Sequence, residues 1–180
     1  ENHVAPTDDG YIGYKNRRLL AILSKKKLTR VLAYLFDEKE FLGPYGIRSL
    51  SKFHERNPFV FSVEGREYRV DYLPAESNSG MFGGNSNWRG PVWMPVNAMI
   101  IRALLNYYAY YGNDFTVECP AGAGRRMNLY QVAEEISRRL TAIFLQGQNG
   151  VRPANGAAEK IKAAHWRDHI QFYEFFHAVT

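Results

Sequence analysis

The sequence contains a single cysteine, Cys119, among its 180 residues. No internal disulfide can therefore form, and a lone thiol is more usual in a reducing compartment, which favours a cytoplasmic location. No apolar run approaches the roughly 20 residues that a membrane helix requires. No signal-peptide pattern is visible either. We therefore expect a protein that does not contact a membrane.

Three common chemical motifs are also missing. Gly80 and the glycines that follow it are not succeeded by the Lys-Ser/Thr pair of a phosphate-binding loop. The Gly-x-Ser-x-Gly elbow of serine hydrolases does not occur. His165 and His169 have helical spacing, but no third ligand stands at a spacing that is usual for zinc. We therefore predict that the protein uses neither a metal nor a cofactor.

Concentrated charge of one sign is also absent. Lysine and arginine number 23 against 18 acidic residues, and the net charge is +5. The positive residues fall in short, separate runs at 17–18, 25–27, 125–126 and 138–139. A nucleic-acid-binding domain would gather such charges on one stripe or in a known module. We therefore predict solvated surface charges and no nucleic-acid partner.

Three segments do have the apolar spacing of amphipathic helices. They lie at 28–36, 95–111 and 128–147. Ser24 can cap the first helix, and Gly112 is expected to end the second. Asn128 and Gln131 resemble a capping box at the start of the third. A further helical turn or two is expected within 166–177.

The connections between these helices are long and aromatic. Residues 60–63 and 67–72 flank Glu64 and Gly65, a pattern that predicts a β-hairpin. The connection at 80–93 is long for a compact domain, and such loops are commonly functional. Helices joined by long aromatic loops indicate a mainly α fold, a helical toroid whose loops gather at one rim. Three or four helices do not close such a ring, so we expect an incomplete one.

Residues 80–93 combine four glycines, two tryptophans, an arginine and two asparagines. Aromatic faces cover the apolar C–H surfaces of sugars, and amide and guanidinium groups bond sugar hydroxyls. Glycines let the backbone approach a ligand closely. The same residues would also suit a structural loop in which Trp88 and Trp93 are buried anchors. Composition alone leaves both interpretations open.

Other candidates lie outside this loop. Tyr45 and Arg48 belong to a turn-rich stretch that could line a pocket, although a plain loop is the simpler interpretation. Asp71 and Glu76 flank the approach to the glycine-rich loop, where each could bond a sugar hydroxyl or hold the loop through backbone hydrogen bonds. Glu174 has aromatic neighbours, a setting that suits general acid–base catalysis, or it is a surface residue on an otherwise buried helix.

Three segments together resemble glycoside hydrolase family 63. They are FLGPYGIRSL at 41–50, MFGGNSNWRGPVW at 81–93 and WRDHIQFYEFFH at 166–177. The chain is most similar to the bacterial and archaeal branch of that family, whose members are processing α-glucosidase-like or mannosylglycerate-hydrolase-like. The resemblance implies an (α/α)6 barrel and inverting hydrolysis of an α-linked glycoside. The expected substrate is an oligosaccharide or a small glycoside.

The resemblance also implies roles for particular residues. The general base of the family is a glutamate in a Tyr-Glu-aromatic segment, which matches Tyr173, Glu174 and Phe175 and implies that Glu174 is the base. Our candidates for sugar binding are Tyr45, Arg48, Glu76, Phe82, Asn87, Trp88, Arg89 and Trp93.

The family's general acid is an aspartate in an upstream aromatic segment, for which this chain has no counterpart. We therefore expect residues 1–180 to be one partial domain, the C-terminal portion of an (α/α)6 catalytic barrel truncated at both ends. Its partner would be the remainder of its own barrel. Because paired catalytic groups act as a unit, such a fragment should be nearly inactive alone. A non-catalytic carbohydrate-binding or interaction module is the alternative.

Overall fold

The computed structural model describes Lys15, residues 18–80, 87–147 and 150–156, Ala163, Trp166 and residues 169–179. These residues form three α-helices: α1 (Lys25–Leu35), α2 (Met94–Tyr111) and α3 (Leu129–Ala142). Eight short strands accompany them within the described ranges: β1 (Leu42–Gly43), β2 (Gly46–Ile47), β3 (Phe59–Val63), β4 (Arg66–Val70), β5 (Val92–Trp93), β6 (Thr116–Glu118), β7 (Arg126–Asn128) and β8 (Phe175–Phe176). The strands form four antiparallel pairs, β1–β2, β3–β4, β5–β8 and β6–β7.

The expectation of a mainly α, partial (α/α)6 barrel was wrong. The described part of the chain is a small mixed α/β fold without a closed ring of helices. The connections that we took for loops contain extended segments, which pair because buried backbone groups need hydrogen-bond partners. Several of these strands have only two or three residues, too few to show an alternating pattern.

The three predicted helices are confirmed, with corrected ends. The Oγ of Ser24 accepts a hydrogen bond from the Lys27 N–H at 3.4 Å. Gly112 ends α2 with a φ of 67°, and the capping box of Asn128 and Gln131 opens α3. The third helix ends at Ala142, before the predicted Gly147. The helix expected near the end of the chain is absent from residues 170–179, where β8 forms instead.

The predicted hairpin is also confirmed. Strands β3 and β4 pair from Phe59 opposite Val70 to Val63 opposite Arg66. Glu64 and Gly65 form the turn with φ values of 48° and 76°. Two consecutive positive values are typical of the tight turns that match the twist of a hairpin.

The hydrophobic core joins residues of α1, α2 and α3 with residues of β1, β2, β5, β6, β7 and β8. Its most fully buried large side chains are Phe36, Leu42, Val92, Leu129, Val132, Ile136 and Ile143. No helix within the described ranges has both the length and the apolar character needed to cross a membrane.

A buried amide, that of Asn97 on α2, connects this core to the strands. Its Oδ1 accepts a hydrogen bond from the N–H of Ile47 at 2.8 Å. Its Nδ2 donates to the carbonyl oxygens of Ile47 at 3.0 Å and Trp93 at 2.9 Å. The side chain thus bonds β2 as a neighbouring strand would, and it holds the end of β5 as well.

A second polar link crosses the core at Arg139 on α3. Its guanidinium donates to the carbonyl of Gly43 at 2.8 Å and to the carboxylates of Glu135 at 2.8 Å and Glu38 at 3.0 Å. Hydrogen bonds from Arg138 and then Arg139 lower the pKa of Glu135 to about 2. The ionised carboxylate of Glu135 therefore holds the guanidinium of Arg139, which in turn attaches Gly43 of β1 to α3.

We expect Asn97→Leu to lower the free energy of unfolding by at least about 2 kcal/mol, because three backbone groups would each lose a buried hydrogen bond. Asn106→Leu is the matched control, since Asn106 is exposed on the same helix and should change stability by less than about 0.5 kcal/mol. Urea unfolding followed by tryptophan fluorescence measures both. Equal midpoints for the two variants would contradict the role given to Asn97.

Candidate functional site

Two tryptophans form the centre of the candidate site. The rings of Trp88 and Trp93 stack with centroids 3.9 Å apart and planes 8° from parallel. Trp93 is only 3% exposed, whereas Trp88 is 42% exposed. Phe175 packs against Trp93 with ring centroids 4.9 Å apart. The result is an outer indole that rests on a rigid aromatic support and remains accessible to solvent.

The support is fixed by its backbone and by its own polar atom. Trp93 lies directly opposite Phe175 in the β5–β8 pair. Its Nε1–H donates to the carbonyl of Asn87 at 2.9 Å. Trp93 is therefore the buried anchor that a structural loop would need, while Trp88 keeps an open surface. The interpretation of both tryptophans as buried anchors therefore holds for Trp93 only, and sugar contact by Trp88 stays a prediction.

Asn87 and Arg89 belong to the corner that contains the two tryptophans, residues 87–93. They attach this corner to the preceding segment, residues 73–79. The Nδ2 of Asn87 donates to the carbonyls of Leu73 at 2.9 Å and Ala75 at 2.5 Å. One guanidinium nitrogen of Arg89 donates to Ser77 Oγ at 2.9 Å, and it also reaches side-chain oxygens of Asn78 and Ser79 at 3.1 and 3.4 Å. Both Asn87 and Arg89 are buried. They therefore fix residues 73–79 against residues 87–89.

Gly90 permits the close approach of these two segments. Its φ is +147°, and a Cβ at this position would stand 2.7 Å from the carbonyl oxygen of Leu73 and 2.8 Å from the ring of Tyr72. The N–H of Gly90 donates to Ser49 Oγ at 3.0 Å. No other residue has both this backbone freedom and this small volume.

Glu174 is brought to the same corner by its backbone. Its carbonyl accepts a hydrogen bond from the N–H of Met94, the first residue of α2, at 2.9 Å. Four residues later, the N–H of Ala178 donates to the carbonyl of Pro74 at 2.9 Å. The segment that contains Glu174 is therefore attached both to the tryptophan pair and to residues 73–79. The Glu174 side chain itself is exposed to solvent.

The two candidates next to the β1–β2 pair, Tyr45 and Arg48, are less exposed than Trp88. The Nη1 of Arg48 donates to the carbonyls of Glu38, Glu40 and Leu42 at 3.2, 3.2 and 2.7 Å. Burial raises the pKa of the neighbouring Tyr72, and the positive charge of Arg48 opposes this rise. Tyr45 is half-buried against the core.

Three further residues named from the sequence remain, Glu76, Phe82 and His165. Glu76 is exposed, whereas Phe82 and His165 lie outside the described residues. In the described ranges, no group of three His, Cys, Asp or Glu side chains is close enough together to hold a metal ion.

Sequence reasoning missed the partners that hold the site together. Ser77, Asn78 and Ser79 accept from Arg89, and the Asn97 amide fixes Trp93. A run of three short polar residues does indicate acceptors for a nearby donor. Nothing in the sequence showed which arginine would donate hydrogen bonds to these acceptors.

Comparison with known proteins identifies the family of the chain. Residues 18–163 match the family model of the mannosylglycerate hydrolase MGH1-like glycoside hydrolase domain. The chain belongs to this family of glycoside hydrolase domains. It is 50% identical over 171 residues to uncharacterized protein YMR196W of Saccharomyces cerevisiae, an alignment that covers 93% of this chain and 16% of that protein.

A second relative is a probable mannosyl-oligosaccharide glucosidase of Schizosaccharomyces pombe. The two sequences are 32% identical over 83 residues, which is 46% of this chain and 7% of the relative. The chain thus spans less than a fifth of the length of either relative.

We expect Gly90→Ala to disrupt the tryptophan pair, because the added methyl group meets the backbone of Leu73 in a conformation that alanine rarely adopts. The emission maximum and acrylamide quenching of tryptophan fluorescence report the change. Gly80→Ala is the control, since nothing lies within 4 Å of a Cβ there. Identical spectra for the two variants would refute the close approach at Gly90.

Proposed function

We propose that this chain supplies the sugar-binding surface and the general base of a glycosidase that hydrolyses an α-linked glycoside with inversion. The observation that supports this most directly is the exposed Trp88 on its buried support, with the backbone of Glu174 anchored at the same corner. The family of glycoside hydrolase domains to which the chain belongs favours the same function.

Trp88 has the properties of a platform for a sugar ring. A sugar presents a flat patch of C–H groups on one side, and an exposed indole covers such a patch while polar groups bond the hydroxyls at its edge. Trp93 and the bonds of Asn87 hold the platform in place before any ligand arrives. A platform ordered in advance reduces the entropy lost on binding.

In the proposed reaction, the Glu174 carboxylate takes a proton from a water molecule. The water oxygen then forms a bond to the anomeric carbon, and the bond from that carbon to the leaving oxygen breaks on the opposite face. The attack from the opposite face turns an α-glycoside into a β-configured product. An exposed carboxylate can meet water freely, and the Met94 bond fixes the backbone from which it extends.

The leaving oxygen needs a proton from a second carboxyl group, about 6.5–9.5 Å from the first in inverting enzymes. We propose that this acid lies outside residues 1–180, in the rest of a longer protein that is also the partner of this chain. The yeast relative, of which the chain covers 16%, has ample room for such a residue. On this proposal residues 1–180 alone have almost no activity.

The proposed substrate is an oligosaccharide or a small glycoside. The name of one relative, the probable mannosyl-oligosaccharide glucosidase, describes a glycosidase activity. The remaining candidates, Tyr45, Arg48, Glu76, Asn87 and Arg89, line or support the subsite beside Trp88 and Trp93 in this proposal. Phe82 stays a candidate from the sequence alone.

We expect Glu174→Gln in the full-length protein to lower kcat by about 10²–10⁴-fold, the usual contribution of a general base. NMR of the product released from 4-nitrophenyl α-glucoside, or from the α-mannoside if that is the faster substrate, should show the β-anomer first. Glu67→Gln, an exposed glutamate on β4, should leave kcat unchanged. An α-configured first product would overturn the inverting mechanism.

We expect Trp88→Ala to weaken sugar binding about 2- to 10-fold, the range for loss of one aromatic contact. Titration of the catalytically silent Glu174→Gln protein with the sugar measures this loss. Tyr130→Ala removes an aromatic ring of similar exposure from α3 and should have no effect. Binding that depends on Trp88 in a wild-type protein without turnover would indicate the alternative, a non-catalytic carbohydrate-binding module.

A further inference from the structure

The bonds of Asn87 and Arg89 hold the two sequence neighbours of Glu76. Asn87 holds the backbone of Ala75, and Arg89 holds the side chain of Ser77. Glu76 stands between these two fixed residues and is itself exposed. On the opposite segment, Trp88 stands between Asn87 and Arg89 and is exposed as well. The two exposed residues therefore occupy matching positions in two segments that are bonded on both sides of them.

This arrangement suits the recognition of a sugar hydroxyl. The edge of a ring that lies on an indole carries hydroxyl groups, and a carboxylate is a strong acceptor for them. We propose that Glu76 recognises one hydroxyl of the sugar on Trp88, and that Arg89 is the positioning residue that keeps Glu76 there. The proposal rests on the sugar-binding function proposed above and adds a specificity determinant to it.

The chemistry of Arg89 explains why a guanidinium is used. The three acceptors that it bonds, Ser77, Asn78 and Ser79, are neutral oxygens on consecutive residues. One nitrogen of the rigid, planar guanidinium, Nη2, lies within 2.9–3.4 Å of all three acceptors, whereas lysine presents a compact charge on a flexible stem. A buried arginine at this place therefore defines the conformation of residues 77–79. It thereby also fixes the backbone from which the Glu76 side chain extends.

A positioning role differs from a purely structural role in what it changes. A general loss of structure would reduce activity on every substrate by a similar factor. Loss of the position of Glu76 would instead remove discrimination at a single hydroxyl. One hydrogen bond to a charged group corresponds to about 10- to 100-fold in discrimination.

The experiment compares kcat/KM of the full-length protein for 4-nitrophenyl α-glucoside, or the α-mannoside if faster, with the four monodeoxy analogues. We expect the wild type to discriminate against one analogue by about 10- to 100-fold. Glu76→Gln and Arg89→Lys should each remove most of that discrimination and leave the other ratios unchanged. The double variant should lose no more than either single one, because both act through the same bond.

Two further variants keep the test valid even where Arg89→Lys fails to fold. Ser77→Ala removes an acceptor of Arg89 and should reduce the same discrimination, while Ser77→Thr retains the hydroxyl and should restore it. Arg69→Lys is the matched control, because Arg69 bonds Asp71 on the exposed surface. Normal discrimination in Ser77→Ala, or additive losses in the double variant, would overturn the positioning role of Arg89. Unchanged discrimination in Glu76→Gln would overturn the role of Glu76.

Failure of the proposed function has a different signature. A wild type that binds the glycosides without turnover would refute catalysis, and the same ratios would then be measured as dissociation constants by tryptophan fluorescence. A wild type that neither binds nor hydrolyses any of them would refute both proposals. Hydrolysis that stays sensitive to Glu174→Gln, with no effect from Glu76 or Arg89, would refute this inference alone.

Discussion

The candidate site depends on the buried amide of Asn97. This one side chain bonds both backbone groups of Ile47 on β2 and the carbonyl of Trp93 on β5. Arg48 follows Ile47 directly, and Trp93 supports Trp88. The two chain segments that carry most of the candidates therefore take their positions from the same helix, α2, on which Asn97 stands. A rigid helix is a better reference than a loop for a site that must hold its geometry.

Features with a local cause were predictable from the sequence. Ser24 and the pair Asn128–Gln131 mark helix starts because their side chains bond backbone groups within three residues. The turn at Glu64 and Gly65 likewise joins two neighbouring strands. The pairing of β5 with β8 joins segments more than 80 residues apart in the sequence, and each contributes only two residues. Such a contact leaves no periodic signal, so the sequence predicted a helix near β8 and missed the strand.

The sequence predicted which types of residue the candidate site contains, but it did not predict the contacts between them. The aromatic, amide and guanidinium groups of 87–93 did suggest a sugar subsite, but their division into an open Trp88 and a buried Trp93 required the fold. Family resemblance identified the family correctly while it implied a barrel that the described residues do not form. When two proteins have similar loop sequences, the similarity indicates the chemistry of a site more directly than the architecture around it.

The polar groups of this corner also explain how the site holds its shape. Asn87, Asn97, Arg48 and Arg89 are all buried. Burial of such groups is unfavourable unless hydrogen bonds compensate, and among the described contacts Arg89 Nε has no partner. The hydrogen bonds of Asn87 and Arg89 instead fix the backbone of residues 73–79. Under the proposed function, this fixed backbone is the feature that a subsite would use to distinguish one sugar hydroxyl from another.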